Sequence, residues 1–149
     1  TYLFMTLGAF AVVILLERNG VEADQIGDYR GVGARYPLLG AGMLLFMASL
    51  AGIPPTGGFM AKFYIFTAAL QGGQVGLTII GVLTSVVSVY YYLRVAYVMA
   101  TGEPHPHVRA NPSAFVSLAM LLTAAAVLLL GILPTPVLSV VQEVAALIR

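Results

Sequence analysis

The stretch SLAGIPPTGGFMAKFYIF, residues 49–66, decides how this chain folds. It lies inside a hydrophobic region of about 34 residues that runs from residue 37 to residue 70. An unbroken helix of that length would measure about 50 Å, whereas the hydrocarbon core of a bilayer is about 30 Å thick. A single straight helix over this region is therefore too long for one membrane crossing.

The prolines of this stretch interrupt the helix. Pro55 has no backbone N–H to donate, and its ring disfavours the helical conformation at the preceding residue. The sequence therefore predicts two half-helices, about 38–51 and 59–70, joined by an unwound link at 52–58. The link contains Gly52, Pro54, Pro55, Gly57 and Gly58.

The composition of the whole chain is that of a membrane protein. Of its 149 residues, 60% are hydrophobic and 9% are charged, whereas about a quarter of the residues of a soluble domain are charged. Long Leu, Ala and Val runs favour helices over barrel strands. The predicted fold is an all-α polytopic transmembrane helix bundle with one discontinuous helix, in a single membrane domain. Its spans are predicted at about 1–16, 38–70, 75–99 and 113–133, followed by an amphipathic tail at 137–148.

Residue counts exclude several functional classes. The sequence has no cysteine, so this chain holds neither a disulfide nor a cysteine-ligated metal or iron–sulfur centre. Its net charge of +1 predicts no nucleic-acid partner. His105 and His107 lack a third metal ligand, and we interpret them as solvated loop residues. The chain begins inside a hydrophobic run with no basic residue ahead of it, so we expect it to be the C-terminal part of a longer protein.

The arginines predict the orientation in the membrane. Arg18, Arg30 and Arg35 follow the first span, and Arg109 follows the third, whereas the turns after the second and fourth spans carry no basic residue. Loops rich in arginine remain on the cytoplasmic side. In a bacterial inner membrane the two arginine loops are therefore predicted to be cytoplasmic, and the C-terminus is predicted on the periplasmic side.

Lys62 is the only lysine of the sequence, and it follows the predicted break. A charged side chain at the centre of a membrane helix costs about 2.5–3.5 kcal/mol, so its presence indicates a function. A lysine withdrawn from water can bind and release a proton near neutral pH, and the positive N-terminal end of the second half-helix also disfavours an ammonium group. The side chains predicted to line a hydrated path are Thr56, Thr67, Thr84, Ser85 and Ser88, with Tyr90, Tyr91 and Tyr92 as a cap.

These features also have structural interpretations. A Pro-Pro pair can be a simple kink, and the Lys62 side chain would avoid the membrane core if it reached an interface. Arg94, beside the tyrosines of the third span, is interpreted as an interfacial anchor. The combination of prolines, glycines and an intramembrane charge favours a functional break, because unwound backbone persists in a membrane only where it is buried or lines a cavity.

The sequence resembles a known family. The motif at 49–66 is similar to the signature of the antiporter-like subunits of proton-pumping NADH:quinone oxidoreductase, respiratory complex I. Three further segments resemble that family: YLFMTLGAFAVV near the start, YYYLRVAYVM in the third span and LGILPTPVLSVV near the end. Within the family the pattern is most similar to the subunit N type, the counterpart of mitochondrial ND subunit 2.

The resemblance implies roles for this chain and for its partners. It implies that residues 52–58 form the break of a discontinuous transmembrane helix, and that Lys62 is the proton-transfer residue of the outward half-channel. It also implies that this chain carries no cofactor, since NADH, FMN, the iron–sulfur clusters and quinone belong to partner subunits. The implied partners are the other membrane-arm subunits, the lipid bilayer and protons.

Other functions stay open on the sequence. A subunit of a multisubunit Na⁺/H⁺ antiporter, or of a related membrane-bound hydrogenase complex, would share the Gly-Pro break and the lysine. A truncated chain that only scaffolds an assembly would transport nothing. The resemblance favours a membrane subunit of a proton-translocating enzyme, without a redox site of its own.

Overall fold

The computed structural model of the protein describes residues 1–18, 25–103, 108–110, 113–136 and 139, and of residues 17 and 18 it describes only the backbone. Within these residues the helices are α1 (Tyr2–Leu15), α2 (Val32–Arg35), α3 (Pro37–Ala51), α4 (Gly57–Gln71), α5 (Val75–Ala100) and α6 (Ala114–Ile132), with a 3-10 helix at Ile26–Tyr29. Two short strands are β1 (Leu16–Arg18) and β2 (Val108–Ala110). Except for Ser139, the tail predicted at 137–148 lies outside the described residues, as do His105 and His107.

The helices have the surface of a membrane protein. In the part of the chain that the structure describes, α5 and α6 are long and apolar enough to cross a membrane, while α1 and α3 are apolar but shorter. Large apolar side chains cover the outside of both long helices; Val87 of α5 is 67% exposed and Phe115 of α6 is 87% exposed. A helix that is hydrophobic on all sides belongs in a membrane or in the core of a large protein. The chain is therefore a membrane protein, in which lipid or further protein covers these surfaces.

The core of the described fold lies where α3 packs against α1 and α6. Phe46 of α3 is fully buried, and its ring fills the space beside Gly8 of α1, where a Cβ would overlap it. On the α6 side, Met120 packs close to Gly42 of α3, whose Cβ would lie 3.3 Å from the Met120 sulfur. Small residues on one helix thus receive large side chains from the next, as in other tightly packed membrane helices.

The interruption between α3 and α4 is shorter than the link predicted at 52–58. Helix α4 begins at Gly57, two residues before the predicted start, so the non-helical segment covers residues 52–56. Gly58 takes part in the first turn because its N–H finds an acceptor outside α4, the side chain of Ser49. Ser49 belongs to α3, so the residues of α4 alone do not reveal this hydrogen bond. The predicted start of α4, residue 59, was for this reason wrong by two residues.

A short antiparallel ladder was not predicted. Strand β1 pairs with β2 from Leu16↔Ala110 to Arg18↔Val108, so part of the expected solvated loop is hydrogen-bonded backbone. At the same end of the bundle, the Arg35 side chain donates to the carbonyl of Val108 at 3.4 Å. Three paired residues are too few for a pattern of alternation to reveal a strand.

Candidate functional site at the junction of α3 and α4

Helix α3 ends in a glycine cap. Gly52 has a φ of +86°, and its N–H donates to the carbonyls of Ala48 and Ser49 at 3.0 Å. The N–H of Ile53 donates to the carbonyl of Ala48 at 2.9 Å, which completes the paired bonds of a Schellman motif. Since a left-handed residue without strain is usually a glycine, Gly52 determines that α3 stops at Ala51.

Lys62 bonds the end of the helix that precedes its own. Its ammonium nitrogen, Nζ, donates to the carbonyl oxygen of Leu50 at 3.0 Å and to that of Ala51 at 3.1 Å. The last carbonyls of a helix have no partner within the helix and carry the negative end of its dipole. Side chains of an α-helix lean towards its N-terminus, so a long side chain on the second turn of α4 extends back across the junction.

This contact changes the electrostatic interpretation of Lys62. Withdrawal from water and the positive N-terminal end of α4, both predicted from the sequence, disfavour an ammonium group. In the structure the ammonium lies against the C-terminal carbonyls of α3, where a cation is stabilised. The approach is close: a Cβ at Gly52 would lie 2.9 Å from Lys62 Cδ. Gly52 is therefore favoured by its backbone conformation, and a side chain at this position would also force the lysine side chain to shift.

Ser49 makes the complementary contact in the other direction. Its hydroxyl oxygen accepts the N–H of Gly58 at 3.1 Å and the hydroxyl donates to the sulfur of Met5 at 2.8 Å. The residue that directly precedes α4, Thr56, instead donates its own hydroxyl to the carbonyl of Ile53 at 2.7 Å. A side chain of α3 thus caps the start of α4, while a side chain of α4 caps the end of α3. Ser49 was missed in the sequence, although it is the one polar residue of α3.

The segment between the two helices is buried only at its end: Pro54 and Pro55 are exposed, whereas Thr56 packs against α6. A Cβ at Gly57 would lie 3.0 Å from Thr1 Cγ2 and 3.0 Å from Leu130 Cβ, and a Cβ at Gly131 would overlap the carbonyl oxygen of Pro55. Thr56 is only 3% exposed, and the Pro54–Pro55 peptide bond is cis. The small residue Gly131 therefore lets the backbone of residues 55 and 56 pack against α6, and contact with protein is the condition under which such backbone is tolerated at membrane depth.

A groove of about 430 Å³ opens beside Lys62, between α4 and α5. Apart from the lysine its walls are mostly apolar, and the hydroxyl residues among them are Thr67, Thr78 and Ser85. Thr67 and Ser85 were predicted to line a hydrated path, whereas Thr78 was not. The other six predicted positions do not line this groove: Thr56, Thr84, Ser88, Tyr90, Tyr91 and Tyr92.

One other predicted residue, Arg94, lies apart from this site. Arg94 is exposed and lines a separate surface depression with Tyr90 and Tyr97. Its role as an interfacial anchor stays a prediction. Among the described residues no cluster of three His, Asp or Glu side chains is suited to hold a metal ion.

The sequence model of the family described as "NADH:quinone oxidoreductase/Mrp antiporter, TM" matches residues 1–88. The curated protein NADH-quinone oxidoreductase subunit N of Trichlorobacter lovleyi is 45% identical over 149 residues, 99% of this chain and 31% of that protein. Subunit N of Acidothermus cellulolyticus is 44% identical, over 99% of this chain and 29% of its own. NAD(P)H-quinone oxidoreductase subunit 2 of Acaryochloris marina is 42% identical, over 95% of this chain and 29% of that protein.

A solved structure is also similar. A chain of respiratory complex I from Thermus thermophilus, determined with bound Aureothin, superposes with a TM-score of 0.76 at 31% identity. The superposition covers 89% of this chain and 31% of that one. The chain thus spans less than a third of the length of these relatives. Because the family's sequence model matches more than half of the residues, this chain belongs to the NADH:quinone oxidoreductase/Mrp antiporter transmembrane family.

Proposed function

We propose that the chain is the C-terminal part of a subunit-N-type membrane-arm subunit of a proton-pumping NADH:quinone oxidoreductase, and that Lys62 transfers protons in it. The names of the curated relatives and the similarity to a complex I chain support the assignment to that enzyme. The observation that carries the role of Lys62 is its position: the ammonium bonds the terminal carbonyls of α3 and lies on the groove between α4 and α5.

In this proposal α3 and α4 together form one discontinuous membrane crossing. Each has 15 residues, about 22 Å of helix and too short to span the membrane alone. Half-helix ends at membrane depth present backbone dipoles to ions in other transport proteins. Here Ser49 accepts an N–H at the start of α4, and Lys62 donates to the carbonyls at the end of α3. These contacts would hold a proton-binding lysine in place without an intramembrane carboxylate in this part of the sequence.

The proton chemistry follows from the donor count of the amine. An ammonium group has three N–H donors, and the carbonyls of Leu50 and Ala51 use two of them. The remaining donor is available to water or to an acceptor in the groove, which is where the proton would leave. Neutral Lys62 would make weaker bonds to the same carbonyls, because charge-assisted hydrogen bonds are the stronger ones. Proton loading and the closure of the α3–α4 junction are therefore coupled.

The chain would act in the bacterial plasma membrane as one part of a larger assembly. NADH, FMN, the iron–sulfur clusters and quinone would be bound by partner subunits, and the energy would arrive through charge or hydration changes in the membrane arm. The contact of Arg35 with Val108 supports an orientation with both arginine loops on the cytoplasmic side, since it brings those loops to one end of the bundle.

Removal of the lysine tests this function. Lys62→Met in the full-length subunit should assemble but lower NADH-driven proton pumping at least about tenfold in inverted membrane vesicles, as expected when an essential proton carrier is lost. Arg109→Gln is the matched control, because Arg109 is an exposed cation on β2, away from the groove. Normal pumping by Lys62→Met would refute the proposed role.

A Na⁺/H⁺ antiporter subunit is the second candidate, because the matched family includes Mrp antiporters. The two functions respond differently to sodium. An oxidoreductase subunit supports NADH-driven acidification of inverted vesicles in sodium-free buffer. An antiporter subunit instead dissipates an existing proton gradient when Na⁺ is added, and NADH has no direct part in that exchange.

A further inference from the structure

We propose that Ser49 is a positioning residue for Lys62: it holds the first turn of α4 against α3 and thereby sets the lysine within reach of the terminal carbonyls. This inference rests on the proposed function for its effect on proton transfer. Its structural part, the anchoring of α4, stands independently and is measured by amide hydrogen exchange.

The two contacts across the junction lie on one face of α4. Gly58 and Lys62 are four residues apart, a spacing that stacks them one above the other on a helix. Their acceptors are consecutive in the chain, since Gly58 bonds Ser49 and Lys62 bonds Leu50 and Ala51. A displacement of Gly58 from Ser49 therefore moves the base of the lysine side chain relative to the carbonyls that its ammonium bonds.

The position of Ser49 requires a small side chain that carries a hydroxyl. The side chain is fully buried, and the α4 backbone approaches so closely that a Cβ at Gly58 would overlap the Ser49 carbonyl. A hydroxyl both accepts and donates, and Ser49 uses both capacities, accepting from Gly58 and donating to the sulfur of Met5. The serine therefore joins three helices, α1, α3 and α4, at the level of the junction.

Loss of the hydroxyl leaves a polar group without a partner. Gly58 is buried, and an N–H in the first turn of a helix has no acceptor within its own helix. In Ser49→Ala this N–H either stays in place without an acceptor or moves until it can bond water. Movement is favoured, because a buried donor without an acceptor costs free energy. The expected consequence is a loosened first turn of α4 and a less frequent contact of Lys62 with Leu50 and Ala51.

The test uses the full-length subunit in its assembled complex. Three variants are compared with the wild type: Ser49→Ala; Ser49→Thr, which retains a hydroxyl; and Thr123→Val, which removes a buried hydroxyl that bonds only carbonyls of its own helix, those of Ala119 and Met120. Amide hydrogen exchange of peptides covering 57–62 and 38–51 is measured by mass spectrometry, together with protons pumped per NADH oxidised.

We expect Ser49→Ala to raise exchange in 57–62 about five- to tenfold, the factor that corresponds to one lost hydrogen bond, and to leave 38–51 unchanged. Its pumping ratio should fall at least about twofold, with Ser49→Thr retaining most of the ratio and Thr123→Val all of it. Wild-type exchange at 57–62, or equal increases in both segments, would overturn the anchoring. Raised exchange with a normal pumping ratio would overturn the positioning role. If Lys62→Met pumped normally, the proposed function would fail, and exchange would still decide whether Ser49 anchors α4.

Discussion

The ammonium of Lys62 lies 3.1 Å from the carbonyl oxygen of Ala51, the last residue of α3. The side chain thus bridges the non-helical segment that separates the two helices. The carbonyl would otherwise be an unbonded acceptor at the end of a helix. One cation consequently has two tasks, the stabilisation of a helix terminus and the proposed exchange of a proton, and substitutions at and around Lys62 separate them.

Lys62→Arg separates a fixed charge from a proton carrier. A guanidinium preserves the positive charge at the end of α3 but does not release its proton at physiological pH. We expect the variant to assemble like the wild type and to pump at the low rate of Lys62→Met. The measurement is NADH-driven acidification of inverted vesicles, normalised to NADH oxidation. Full pumping by the arginine variant would mean that Lys62 acts only as a helix cap.

Gly52→Ala tests the passage of the lysine beneath the glycine cap. The substitution adds backbone strain of about 1–2 kcal/mol at a φ of +86°, and its methyl group would also displace Lys62 Cδ. The matched control is Gly73→Ala, where φ is +75° and no atom lies within 4 Å of the added Cβ. Both variants should lower the midpoint temperature for loss of the assembled complex.

The pumping ratio separates these two glycine variants. Gly52→Ala should reduce protons pumped per NADH, because the ammonium loses its place at the carbonyls, and Gly73→Ala should leave this ratio unchanged. Equal ratios in the two variants would show that the space beside Lys62 is not required.

Gly58→Ala tests the close crossing of α3 and α4. The new methyl group would overlap the carbonyl of Ser49, so the helices must separate, at an overpacking cost of about 1–3 kcal/mol or more. Gly76→Ala is the control, since its Cβ meets no atom within 4 Å. The amount of assembled complex on native gels should fall for Gly58→Ala and stay at the wild-type level for Gly76→Ala. Normal assembly of both variants would contradict the close approach of α3 and α4 at Gly58.

Phe46→Ala tests the core that holds α1 against α3. The ring is fully buried beside Gly8, and its removal leaves a cavity at a cost of about 3–5 kcal/mol. Phe115→Ala, at a position 87% exposed in the described fold, should cost far less. Thermal loss of the assembled subunit is the measurement. A smaller effect of Phe46→Ala than of Phe115→Ala would refute this packing.

The membrane class and the interruption of the helix follow from the sequence alone. A region of about 34 apolar residues exceeds one crossing, and adjacent prolines prevent a regular helix through it. These properties are local: they depend on the length of the apolar region, the missing proline N–H and the bulk of the proline ring, and not on which helices pack nearby. The lysine was also recognisable as exceptional, because it is the one charge between residues 37 and 93.

The partners across the junction were decided by the tertiary structure. No pattern along α4 indicates that Gly58 bonds Ser49, or that Lys62 bonds the carbonyls of Leu50 and Ala51. Those contacts depend on the direction in which the chain leaves Gly52, and α6 packs against the last residues of the non-helical segment, Pro55 and Thr56. Local sequence therefore determined where the helix stops. The close approach of neighbouring helices, which their glycines permit, determined which groups satisfy its ends.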